Sequence, residues 1–164
     1  MTTILAGHHA PPFRLTDTHG NDVSLSECLK KGPVVAAFFK VSCPVCQYTF
    51  PFIERLCKVY GDERVSFLAI SQDDAEDTLE FLAEYGISFP ALIEHSSYAV
   101  SNSYGLTNVP TVFLIGTDGK VIVSEMGFDK EKLEAISKEI ARHLGRPPAQ
   151  VFHAADNVPD YKPG

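Results

Sequence analysis

The sequence predicts an α/β fold, a mixed central β-sheet flanked by helices. Three observations carry that reading. The apolar runs Val34–Phe39 and Val65–Ile70, each bounded by turn residues, read as strands buried on both faces. Segments with apolar steps of three and four residues alternate with them and read as amphipathic helices. Late in the chain, Thr111–Ile115 and Lys120–Val123 flank the turn Gly116-Thr117-Asp118-Gly119, which makes them an antiparallel pair.

The elements follow in order. Phe13–Thr16 and Val23–Leu25 enclose the turn signal His19-Gly20-Asn21 and read as an N-terminal β-hairpin. Residues 26–31 make a helical turn that ends at Gly32-Pro33. After the first buried strand, Phe50, Ile53, Leu56, Cys57 and Tyr60 mark a helix over 46–60. Residues 73–85 form a second helix, with Asp73 or Asp74 as its N-cap, Gly86 at its end, and Leu79, Phe81, Leu82 and Tyr85 apolar. Ala91–Ile93 is a short strand and 97–104 a short helix, within an added segment near 86–105. Residues 129–144 form the final helix, with Leu133, Ile136, Ile140 and Leu144 on one face. Strands joined through helices imply parallel pairs.

The chain has 164 residues, the size of one domain with a core of its own. Residues 1–10 read as a flexible lead, 11–145 as the folded domain, and 146–164 as a Pro-rich tail, extended or disordered. The 14 Lys+Arg against 21 Asp+Glu give a net charge of −7. That balance, with no basic cluster beyond Lys30-Lys31, argues against nucleic acid as a partner. No apolar run is long enough to span a membrane. The opening Met-Thr-Thr-Ile-Leu-Ala has no basic region and no long apolar stretch, so a cytoplasmic protein is expected, or an exported one whose leader has been removed.

Four cysteines are too few for a disulfide framework, but two stand as Cys43-Pro44-Val45-Cys46 where a buried strand hands over to a helix. A helix N-terminus carries partial positive charge and free N–H groups, and both stabilise a thiolate, the attacking species. Cys43 is therefore expected as the exposed nucleophile and Cys46, one turn deeper, as the resolving thiol. A zinc site needs a second ligand pair. Cys57 lies about 16 Å along the helix from Cys46, too far to share a metal, and no His pair at ligand spacing follows. No metal or cofactor is expected. Cys57 reads as a small core residue, and Cys28 as incidental.

Two prolines add to the picture. Pro51 falls within the helix and predicts a kink, because the apolar spacing continues across it. Val109-Pro110-Thr111 precedes a buried strand, where a cis bond would free the Val109 backbone to pair with an extended peptide. The buried strand, CPVC, Pro51, Val109-Pro110-Thr111, Gly127 and a last amphipathic helix resemble the thioredoxin superfamily over roughly residues 10–144. The Ala10–Leu15 stretch and segment 86–105 resemble its redoxin branch, which includes exported oxidoreductases of the TlpA and ResA kind and the AhpC/TSA peroxiredoxins. The resemblance implies a thioredoxin-like fold with Pro110 cis and packed against the cysteine pair. Cys43 and Cys46 would be catalytic, and Pro44, Val45, Val109 and Pro110 would contact the substrate. The implied partners are a protein thiol or disulfide and an upstream redox donor, in a role in cell redox homeostasis.

The sequence departs from the family in its acids. Thioredoxins carry a buried acid where this chain has Ala37, and ResA-like proteins a Glu where it has Thr49. Lys40 reads as a solvated lysine. A thiol peroxidase is the rival reading, weakened because Cys43 stands where a peroxidatic Cys46 would need Thr or Ser, and because no arginine occurs between Arg64 and Arg142. A non-catalytic interaction domain is the third, disfavoured because both cysteines are present. With no His between the cysteines to stabilise the reduced form, a strong oxidant is disfavoured.

Overall fold

A computed structural model describes residues 2–62 and 64–164. Arg14–Asp17 (β1) and Asp22–Ser24 (β2) form the expected hairpin, followed by Leu25–Leu29 (α1). Val34–Phe39 (β3) is buried at all six residues and leads into Pro44–Tyr60 (α2). Ser66–Ser71 (β4), Ala75–Glu84 (α3), Ala91–Ile93 (β5) and Ala99–Ser103 (α4) follow. Thr111–Ile115 (β6) and Val121–Met126 (β7) form the late hairpin, with Phe128–Asp129 (β8) and Lys130–Leu144 (α5) after it.

The seven-stranded sheet runs β2-β1-β5-β4-β3-β6-β7. The helix-linked strands β3, β4 and β5 are parallel, while β6 is antiparallel to β3, so the sheet is mixed. Because side chains alternate across a strand, β3 feeds two cores. Val35, Ala37 and Phe39 pack with α2, α3 and α5 through Phe50, Ile53, Phe81, Leu133 and Ile136. Val34, Ala36 and Phe38 pack on the other face with Leu25, Val100, Tyr104 and Phe113.

Asp74 caps α3 by accepting the Asp77 N–H at 2.9 Å, which leaves Asp73 free for another contact. Thr78 and Phe81 are the buried residues of α3, while Leu79 is exposed. Helix α2 continues through Pro51. Cys57 is half-buried.

Both chain ends pack on the domain. In the lead, Gly7 N–H donates to Val121 O (2.8 Å), Val121 N–H to His8 O (2.9 Å) and Ala10 N–H to Gly119 O (2.8 Å), so it runs along the outer edge of β7. The Pro-rich tail is extended but held. Val151 and Phe152 are buried, and Phe152 sits 5.0 Å from the Phe52 ring and 5.9 Å from the Phe128 ring. Burying an aromatic of this size contributes about 2 kcal/mol. Tyr161–Lys162 (β9) then pairs antiparallel with β8.

Candidate active site

Cys43 is the N-cap of α2. Its backbone is extended (φ −83°, ψ 115°), and Pro44 opens the helix, where its missing N–H costs nothing. The Cys43 sulfur accepts the Cys46 N–H at 3.2 Å. An amide aimed at a sulfur on a helix N-terminus stabilises negative charge there, and the first turn holds no acid to oppose it. Cys43 is part-exposed, Pro44 exposed, Val45 half-buried and Cys46 fully buried. All four cysteines are free thiols.

The two sulfurs therefore live in different surroundings. Burial first, and the neighbouring Cys43 side chain second, push the Cys46 thiol far above the ordinary cysteine range. Cys46 is a neutral thiol at neutral pH.

The Val109–Pro110 peptide bond is cis. The Cys43 thiol points at the Val109 carbonyl, 3.5 Å away, so the loop before β6 borders the redox pair. Val109 is half-buried and Pro110 buried. On its other side the loop edges a cleft of about 270 Å³ lined by Lys40, Gln72, Asn102 and Asn108. Lys40 itself is exposed.

Asp73 was not singled out by the sequence as a site residue. Its carboxylate accepts the Val41 N–H at 2.8 Å, and Gln47 Nε2 donates to Val41 O at 2.9 Å. Together they pin the loop between β3 and the cysteines. The Asp73 charge also reaches Cys46 and adds to the upward push on its thiol. The only signal in the sequence was an acid immediately before a capping acid, which is ambiguous by itself.

Buried acids do exist, Glu125 among them. Glu125 on β7 stands opposite Val112, which stands opposite Ala37, two strands from the position where thioredoxins carry theirs. One carboxylate oxygen accepts the Asp129 N–H at 3.0 Å and the other has no partner among the described residues. Burial raises this carboxyl well above the usual range. Its charged neighbours are Asp129 and Lys132 at the start of α5. Strand alternation from Val121 and Val123 would have placed it inward.

Two sulfurs so placed on this sheet put the chain in the class of thioredoxin-fold thiol–disulfide oxidoreductases. Within that class it belongs to the Redoxin family, which matches residues 5–140. It is 32% identical over 136 residues to the thiol-disulfide oxidoreductase ResA of Bacillus anthracis, covering 82% of this chain and 78% of that protein. It is also similar to the crystal structure described as a DsbE thiol:disulfide interchange protein from Chlorobium tepidum. There the identity is 28%, the TM-score 0.75, and the coverage 85% of this chain and 98% of the other. The thioredoxin domain of a thiol-disulfide oxidoreductase from Bacteroides vulgatus, at 21% identity and TM-score 0.75, covers 84% of this chain and 99% of its own and shares the fold. No helix among the described residues is long and apolar enough to cross a membrane.

Proposed function

We propose that this chain reduces protein disulfides through Cys43, with Cys46 as the resolving thiol. The observation that supports it best is the inequality of the two sulfurs, one part-exposed on a helix N-terminus and one buried a turn below. The Cys43 thiolate attacks a partner disulfide. A Cys43–partner S–S bond forms, the partner's S–S bond breaks, and one partner sulfur leaves as a thiolate that takes a proton from water. Cys46 then loses its proton and attacks the Cys43 sulfur. The Cys43–Cys46 bond forms, the second partner sulfur leaves, and the pair has given up two electrons. An upstream donor restores the dithiol. Val109, with Pro44, Val45 and Pro110, borders the position the partner's extended backbone would take.

A Cys46→Ser variant tests the roles. It should hold the partner as a mixed disulfide on Cys43, visible by mass. A variant that instead traps through position 46 in a Cys43→Ser background contradicts the assignment. The pH dependence is a further check. With the Cys46 thiol raised, the thiolate fraction is small at neutral pH, so the resolving step should quicken about tenfold per pH unit up to the alkaline limit of folding. A plateau near neutrality would contradict it.

The compartment belongs to the same proposal. A reductant of this kind serves a cytoplasmic setting, or an exported one where an upstream donor supplies electrons. Its reduction potential separates it from an oxidant, about −270 mV for a thioredoxin-like reductant against about −120 mV for a strong oxidant.

A further inference from the structure

The tail does more than cover a hydrophobic patch. Its first part, 146–156, is an anchor. Ala149 N–H donates to the Tyr60 hydroxyl at 2.6 Å, Val151 and Phe152 are buried, and Arg55 holds Asp156 through both oxygens at 2.7 and 2.8 Å. Its second part, 158–164, turns back along β8 to the loop that borders the redox pair. There β9 pairs with β8, placing Lys162 opposite Phe128 and Tyr161 opposite Asp129, and Lys130 N–H donates to Asp160 O at 3.0 Å. The Lys162 ammonium lies 4.9 Å above the Tyr48 ring, two residues beyond Cys46. The segment finishes against the cis-proline loop. A side-chain carbon at Gly164 would collide with Val109 O and with the Asn108 amide, and one at Gly127 (φ +73°) would collide with Lys162 O.

Val109 is thus bordered on two flanks. One is the open cleft with Lys40 and Asn102; the other is occupied by the chain's own extended segment. An extended peptide pairing with the Val109 backbone from that flank meets that segment first.

We propose that residues 158–164 are a specificity strap, lying in the place of an extended polypeptide beside Cys43 and Val109 and selecting against polypeptides that need this flank. This rests on the reading of Cys43 as the attacking thiol. A small disulfide reaches Cys43 from the open flank with the strap in place. A polypeptide disulfide must displace it, so its apparent affinity is scaled down to the fraction of strap-open molecules.

The test is a chain ending at Asn157, which keeps the anchor, compared with the full chain on two substrates, insulin and 2-hydroxyethyl disulfide. Insulin reduction should rise about fivefold, and reduction of the small disulfide should stay the same. The peptide Val-Pro-Asp-Tyr-Lys-Pro-Gly added at millimolar concentration should return insulin reduction toward the full-chain rate. Lys162→Glu in the full-length chain, which loses the contact with Tyr48, should raise insulin reduction about twofold. It also decides the matter if the shortened chain does not fold. Equal insulin rates in full and altered chains, or equal rises on both substrates, overturn the strap. A full chain inactive on both substrates instead overturns the thiol-exchange reading beneath it.

Discussion

The two ends of α2 are held in opposite ways. At its start, the sulfur of Cys43 takes one backbone N–H and faces one carbonyl, and the loop before it is pinned by Asp73 and Gln47. From Glu54 onward, the helix is tied to distant parts of the chain. Glu54, buried, accepts from Ser88 N–H and Ser88 Oγ at 2.9 and 2.7 Å. Arg55 grips Asp156, and the Tyr60 hydroxyl joins Ser137 and Ala149. The far end is a fixed mount, and the near end leaves its sulfur accessible. A dithiol that must bond in turn to a partner and to its neighbour needs that division: a helix that keeps Cys46 one turn below Cys43, and a first turn without bulky ties over the sulfur.

The largest difference between the two ends lies in their cysteines. Cys43→Ser should abolish disulfide exchange, while Cys57→Ser should leave it unchanged, because Cys57 is half-buried near Gly61 at the fixed end. Burial raises the Cys57 thiol too, keeping it in the unreactive neutral form. An insulin-reduction assay decides, and loss of activity in Cys57→Ser would erase the distinction between the ends.

Next in size, Tyr60→Phe removes a hydroxyl shared by Ser137 and Ala149 at the fixed end. It should cost about 1–2 kcal/mol in chemical denaturation and leave the exchange rate alone. A rate loss without a stability loss would mean that the far end takes part in the chemistry.

At the near end the prediction inverts. Asp73→Asn should alter chemistry more than stability. Burial is the main cause of the raised Cys46 thiol, but without the Asp73 charge it moves part of the way back, and the Val41 N–H keeps only a neutral amide acceptor. The pH profile of Cys46 alkylation, read in a Cys43→Ser background, should shift to lower pH. An unmoved profile would remove Asp73 from the account.

The smallest effect is the pH response of the tail anchor. The Arg55 hydrogen bond first, and the His153 N–H second, hold the Asp156 carboxyl well below the usual carboxylate range. A lowered folded-state value gives stability that is present above the unfolded value, about 3.9, and is lost as pH falls below it. Asp156→Asn should therefore flatten the acid limb of a Tm-against-pH curve. The same acid slope in both proteins would show that the pair contributes nothing.

How much of this was legible in the sequence follows from the range of the interactions. The six-residue run Val34–Phe39 and CPVC declare a strand handing a dithiol to a helix, because both signals lie within a few consecutive residues. Val109-Pro110 was readable beside them through the family resemblance. Asp73 was not, since its acceptor role is made across 32 residues by the meeting of two loops. Helix α3 and most of its inward face were readable, since Phe81 is buried with Leu82 and Tyr85 packed beside it; Leu79 is exposed and Thr78 is buried instead, satisfied by the Ser71 hydroxyl that the fold brings to it. The tail hid its role for the same reason. Four prolines and no helical period suggested a loose end, while the adjacent Val151-Phe152 and the partner of Arg55, 101 residues away, carry its docking.

The most direct test of the central claim is a redox titration of the chain in glutathione or dithiothreitol buffers, read by the mass of alkylated thiols. The account predicts a reversible two-electron transition confined to Cys43 and Cys46, at a potential nearer about −270 mV than about −120 mV. A chain that forms no Cys43–Cys46 disulfide at any poise would contradict it.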